Sequence, residues 1–219
     1  KQGGCLRTAG RDVLLFLLAA GAGASDAWSY TSLGHAFVAN MTGNTVLLGL
    51  AVFKAHGDVL HPLISLACYA GGTALATSLT RDAGKGTLWT RSVSLTLFLE
   101  AAILVAAEIG CAVLFLRARL WPPATESLLG CVAFAVGLQS GSMLQLNIPG
   151  IVTTYITGTW TKLVSGMVKF FARQKEENPS ERLQFEERLL LQAGILAVYF
   201  LSAVLTGWLF RYHPAFSGV

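Results

Sequence analysis

The stretch FVANMTGNTVLLGLAVF, residues 37–53, opens and closes apolar but carries Asn40, Thr42, Gly43, Asn44 and Thr45 between. A soluble core helix or strand rarely buries two Asn and two Thr together, and a surface loop is rarely flanked by AFVA and VLLGLAVF. Where this segment sits, and what its polar atoms bind, decides the fold.

The rest of the chain supplies the setting. Of 219 residues, 53% are hydrophobic and 13% charged, and mean hydropathy is +0.57. Soluble domains carry about 25% charged residues. The apolar residues fall in seven blocks, 13–33, 36–54, 60–80, 92–116, 127–146, 150–171 and 189–210. Each is close to the ~20 residues that a helix needs to cross a hydrocarbon core of about 30 Å. The expected fold is all-α, a polytopic helical membrane protein of about seven transmembrane helices, with residues 1–219 forming a single membrane domain. Lys1, Arg7 and Arg11 ahead of VLLFLLAAGAGASDA also fit a signal peptide cleaved near Ala22–Ala24. The repeat described below uses residues beyond that point and favours a retained helix.

Net charge is +4, with 16 Lys and Arg. In this setting the excess is a positive-inside bias and not a nucleic-acid footprint. With seven crossings and a cytoplasmic N-terminus, Arg81, Lys85, Arg91 and Arg211 fall outside and the other 12 inside. If blocks two and six each enter and leave on one side, the division is again 12 to 4. Charge therefore supports a cytoplasmic N-terminus, in a plasma or inner membrane, without fixing the number of crossings. The expectation adopted is seven, with blocks two and six as broken but complete spans and two parallel copies of a repeat. Cys5, Cys68, Cys111 and Cys131 lack metal-ligand spacing and read as small hydrophobes.

The repeat comes from a second copy of the opening pattern. A shift of 115 residues lays residues 37–49 on the segment from Val152. Thr42-Gly43 falls on Thr157-Gly158, Asn44 on Thr159, and Asn40 on Tyr155. The same shift sets Ser25 on Ser140 and Asp26 on Gly141. Repeat one is about 13–80, a linker helix about 92–116, and repeat two about 127–210. Paired interruptions in internal repeats point to a transporter site, because in lipid a broken helix must find partners for its backbone groups. Thr42 and Thr157 have the chemistry to cap the helices that follow the breaks. The bland alternative is that Thr and Gly only permit close helix packing.

DAWSYTSLGHAFVANMTGNTVLLGLA (26–51) with GIVTTYITGTWTKL (150–163) resembles the YoaK-like domain-of-unknown-function family of small multi-pass membrane proteins. The N-M-T-G-N and T-T-Y-x-T-G-T runs carry the resemblance. It implies an integral membrane protein, transporter-like, with no settled substrate.

Ionisable residues inside apolar blocks are functional candidates by default. Asp26 ends the first block at a polar corner, SDAWSY, where interfacial capping is the competing role. Glu100 lies about 12 Å below the start of the fourth block, where burial favours the neutral acid and suits proton coupling. Glu108 lies about 80° around the same helix. Lys162, one turn past the second break, is placed to pair with Glu100 or Asp26, to bind an anion, or to snorkel to the cytoplasmic face. No phosphate loop, HExxH or G-x-S-x-G occurs, so no enzyme is expected, and no cofactor or metal. The leading reading is a secondary transporter of a small polar or anionic solute, with proton coupling as an option. Asn40, Thr42, Asn44, Tyr155, Thr157 and Thr159 would line its site, and Asp26, Glu100 and Lys162 would serve as proton-coupling groups or charge partners. The alternative is a non-transporting assembly or lipid-binding module whose polar breaks are structural. Expected partners are the solute and the lipid bilayer, with a homodimer allowed and no nucleic acid.

Overall fold

Residues 2–53, 58–81, 90–116, 122–145, 156–172 and 179–212 are described by the computed structural model. They form α1 (Gln2–Ser32), α2 (Met41–Phe53), α3 (Leu60–Leu79), α4 (Arg91–Leu116), α5 (Pro122–Gln145), α6 (Ile156–Ala172) and α7 (Pro179–Tyr212), with no strand among the described residues. Among the described residues five helices hold segments long and apolar enough to cross a membrane: Gly10–Ser32, Leu60–Leu79, Arg91–Leu114, Pro122–Leu144 and Arg182–Tyr212. Their outward faces are apolar, as with Val105 and Ile109 on α4 and Leu201, Val204 and Leu205 on α7. Such faces suit lipid, which is as apolar as the side chains themselves.

Block two resolves into two parts. α1 stops where the Leu33 N–H donates to the Ser29 carbonyl at 2.8 Å. Gly34 (φ 91°) and His35 (φ 58°) then turn the chain through the left-handed region. Only glycine fits at 34, because a Cβ there would run into the His61 ring. The chain continues without helix to Asn40. The Asn40 side-chain carbonyl accepts from the Gly43 N–H at 3.0 Å. Its backbone carbonyl accepts from the Asn44 N–H at 3.2 Å. Asn40, and not the expected Thr42, therefore caps α2, and Thr42 lies exposed inside the first turn. Both residues have suitable side chains. The turn at 34–35 sets the register that selects Asn40.

Packing fixes helix directions. On α3 and α5, Gly130 faces Ile64 and Cys68, Gly137 faces Tyr69 and Thr73, and Gly141 faces Thr73 and Ala76. Numbers rise together, so α3 and α5 run parallel. On α1 and α7, Phe16 meets Gly194, and Gly23 meets Tyr199 and Ser202, so these helices are parallel too. Small residues are what permit such closeness: a Cβ at Gly72, Gly137 or Gly23 would strike a backbone carbonyl of the facing helix. Thr73 adds a hydrogen bond across the seam, donating to the Gly137 carbonyl at 3.2 Å. α4 runs opposite to α5, with Gly110 near Leu128 and with Val93 and Met143 in one cluster.

The end of α1 and the start of α3 share one end of the bundle. Residues 34–40, which follow α1, touch His61 and Ser65 in the opening turns of α3. Leu33, Ala36, Val38 and Ala39 pack in one core cluster with Leu128 and Leu129 at the start of α5. So α1 runs opposite to α3 and α5. This differs from the expectation of seven crossings with parallel copies. Block two leaves and returns at the same end, and α2, with 13 residues, spans only about 20 Å. α6 has 17 residues, about 25 Å. The apolar count of block two was sufficient for a crossing, but its first residues go to a non-helical segment held by distant side chains. The residues between α5 and α6, including Thr153, Thr154 and Tyr155 of the T-T-Y-x-T-G-T run, lie outside the described residues.

Candidate functional site: a carboxylate clamp on a non-helical segment

The end of α1 supplies the central group. Asp26 is 4% exposed. Its Oδ1 accepts from the backbone N–H groups of Val38 at 2.8 Å, Ala39 at 2.7 Å and Asn40 at 3.3 Å. Its Oδ2 accepts from the Tyr199 hydroxyl of α7 at 2.5 Å. Successive N–H groups converging on one oxygen form a nest, the backbone geometry that favours an anion. Here the anion is the protein's own side chain. Four donors on two oxygens also match what a carboxylate accepts.

A second clamp sits one residue upstream. Asn44, fully buried on α2, pairs with both backbone groups of Phe37. Its Oδ1 accepts from the Phe37 N–H at 2.8 Å and its Nδ2 donates to the Phe37 carbonyl at 2.6 Å. The Asn44 amide also donates to Ser65 Oγ of α3 at 3.0 Å, and Ser65 donates to the Phe37 carbonyl at 2.5 Å. The Asn side chain thus stands in for the neighbouring strand that residue 37 lacks. Tyr30 of α1 stacks on the Phe37 ring, with centroids 4.8 Å apart. The question set by the opening stretch is answered here. Within the stretch Asn44 supplies partners to this non-helical backbone, and Asp26 and Ser65 supply the others from outside it, the condition on which such backbone is tolerated at membrane depth.

The remaining sequence candidates are distributed differently. Thr157 is exposed in the first turn of α6, Thr159 is buried, and Tyr155 lies outside the described residues. α2 packs on α3, and α6 on α7. Glu100 is 5% exposed while Glu108 is exposed, so the structure separates the two acids of α4. Lys162 is exposed, and no ion pair of Asp26, Glu100 or Lys162 is found among the described residues. Sequence reasoning missed Tyr199 and Ser65. A lone hydroxyl in an apolar helix was the available signal in each case, and many such hydroxyls only bond to their own helix, as those of Ser78 and Ser142 do. Among the described residues no cluster of His, Cys, Asp and Glu is suited to a metal ion.

Fold and clamp together define a multi-pass helical membrane protein with an occupied backbone nest at the junction of its first and last long helices. The chain belongs to the family DUF1275, described as protein of unknown function, whose pattern matches residues 14–219. It is similar to the UPF0700 transmembrane protein YoaK of Bacillus subtilis (strain 168), at 35% identity over 199 residues, covering 89% of this chain and 82% of that protein. No solved structure matches.

Proposed function

We propose that the protein is a secondary transporter of a small polar or anionic solute, built on an inverted internal repeat. One observation carries the reading: the two glycine seams are interchangeable. If α1, α2 and α3 form one copy and α5, α6 and α7 the other, exchanging the copies turns the α1–α7 seam into the α5–α3 seam. Gly23 lies against the Tyr199 carbonyl, and Gly137 lies against the Tyr69 carbonyl. Gly23 and Gly137 are 114 residues apart, one short of the 115-residue shift between the two Thr-Gly patterns. Both tyrosines end the same short run, Leu66-Ala67-Cys68-Tyr69 and Leu196-Ala197-Val198-Tyr199. α1 and α5 point in opposite directions, as an inverted repeat requires. Paired short helices such as α2 and α6, at matching places in inverted copies, are where transporters of this architecture bind solute.

In this reading the solute meets Asn40 and Thr42 of one copy and Tyr155, Thr157 and Thr159 of the other, with Asn44 holding the first segment in shape. The N-terminus is cytoplasmic and the five long helices cross, which again divides the basic residues 12 to 4, now with Arg81, Lys85 and Arg91 inside and Lys54, Arg117 and Arg119 outside. The second reading, a non-transporting membrane module, is favoured by the self-sufficiency of the Asp26 clamp, whose donors and acceptors already satisfy one another.

Cysteine accessibility in lipid vesicles separates the two. In a background without native Cys, Thr42→Cys and Thr157→Cys are labelled with a membrane-impermeant thiol reagent from each side. Transport predicts that both label, from opposite sides, and that a solute found to stabilise the purified protein alters both rates. Labelling at neither position, in protein that unfolds at the normal temperature, excludes the transporter.

A further inference from the structure

Glu100 is as deeply buried as Asp26 but differently equipped. Its Oε2 is buried without a hydrogen-bond partner among the described residues. It lies nine residues into α4, about 13 Å from the start of the helix. It belongs to the inward stripe of that helix, with Val93 and Thr96 on one side and Leu104 and Ala107 on the other. Val93 and Leu97 of α4 share an apolar cluster with α1 and α7, whose titratable side chains include Arg11, Asp12, Asp26, Glu187, Arg188 and Tyr199; the elements packed most closely against α4 are α5 and α3. Their titratable side chains are Glu126 and Cys131 on α5, and His61, Cys68 and Tyr69 on α3. α4 itself adds Arg91, Glu108 and Cys111. Of the cationic candidates, Arg91 and His61 belong to the opening turns of their helices, and neither is paired with Glu100 in the structure.

The sequence generalises the point. No Lys or Arg occurs in residues 12–53, 60–79, 92–116, 122–145 or 189–210. The two Lys of the described part of α6, Lys162 and Lys169, are exposed. The five long helices therefore bring no fixed cation to the depth of Glu100. An ionised carboxylate buried without a partner costs several kcal/mol, about 3–5 when a former partner has been removed, so the cation has to come from solution. A hard metal ion takes about six or more oxygen ligands, and no metal-holding cluster occurs among the described residues. The neighbouring Thr96 hydroxyl is already committed to the Ser92 carbonyl at 2.6 Å. A proton needs one oxygen and no cage.

We infer that Glu100 is an exchangeable proton site, the group that couples the transport cycle to protons, while Asp26 is a fixed structural anion. The step is the addition of one proton to a carboxylate oxygen and its later return to water, with no other bond made or broken. The inference rests on the transporter reading for its purpose, but its detection requires no solute.

Infrared spectroscopy of the purified protein in lipid vesicles, with the proton alone as probe, tests it. The wild type is expected to show the carbonyl stretch of a protonated carboxylic acid, shifted in heavy water and fading on titration to alkaline pH. The band is expected to vanish in Glu100→Gln, to persist in Asp26→Asn and Glu108→Gln, and to move in frequency in Glu100→Asp, which keeps the acid if the amide variant fails to fold. Three results overturn the inference: no such band anywhere between about pH 5 and 8, a band unchanged in both Glu100 variants, or a band erased by sodium at fixed pH, which makes the site one for a metal cation. An intact, Glu100-dependent band in a protein that fails the cysteine test retires the transporter and leaves the proton site standing.

Discussion

Asp26 on α1 and Glu100 on α4 are both buried acids on apolar helices, 4% and 5% exposed. Asp26 draws three backbone N–H groups and a tyrosine hydroxyl onto its two oxygens. Glu100 has a buried oxygen with no partner among the described residues. Burial alone therefore says little about what an acid does. The donors around it decide whether it is a structural bond-maker or a group free to exchange a proton. In a low-dielectric interior a satisfied carboxylate rigidifies its surroundings, whereas an unsatisfied one is under pressure to change state.

Substitutions sharpen or break this contrast. The largest effect is expected from Asp26→Ala, which strands three backbone N–H groups at about 1–3 kcal/mol each. Thermal unfolding in detergent is expected to drop steeply, and amide exchange at Val38–Asn40 to accelerate. An unchanged midpoint would mean that the clamp is not what holds the segment. Next is Tyr199→Phe, which removes one donor to a charged acceptor, worth about 1.5–3 kcal/mol. Its loss is expected to be less than additive with Asp26→Ala in a double-mutant cycle, and full additivity would dissolve the pairing of α1 with α7 at this point. Asn40→Ala removes the α2 cap, with an expected loss of about 1 kcal/mol. Thr42→Ala is the control and is expected to change stability by less than half as much; the reverse order restores Thr42 as the cap. The smallest effect belongs to Glu100→Gln, expected to leave stability within about 1 kcal/mol or to raise it, since it removes a buried unpaired acid. A collapse there on the scale of Asp26→Ala would reveal a partner for Glu100 and end the contrast.

The class of fold was legible because hydropathy acts over each 20-residue block independently. Seven blocks foretold seven helices, and the start of α3 or the end of α4 falls within a residue or two of its block. The number of spans was not legible. Residues 36–40 are as apolar as a helix needs, and what keeps them out of one is contributed from 12 to 28 residues away by Asp26 and Ser65, and from far down the chain by Tyr199 through its bond to Asp26. No local period encodes such partners. Asp26 and Asn44 were both singled out from sequence, since polar groups in apolar blocks demand an explanation. Their use as partners of Phe37 and Val38 was not, because backbone donors carry no sequence signature.

The bond between Asp26 and Tyr199 joins residues 173 positions apart, and this has a consequence for how the chain is made. At roughly 5–20 residues per second on the ribosome, Tyr199 emerges between about 9 and 35 s after Asp26. Through that interval the first hairpin of the nascent protein stands in the bilayer with one carboxylate oxygen open. Its lateral partner, α7, is synthesised after α3, α4 and α5. Docking of α7 on α1 therefore waits until the helices between them have been made, and a chain arrested before Tyr199 is expected to be held by insertion factors or cleared by membrane proteases.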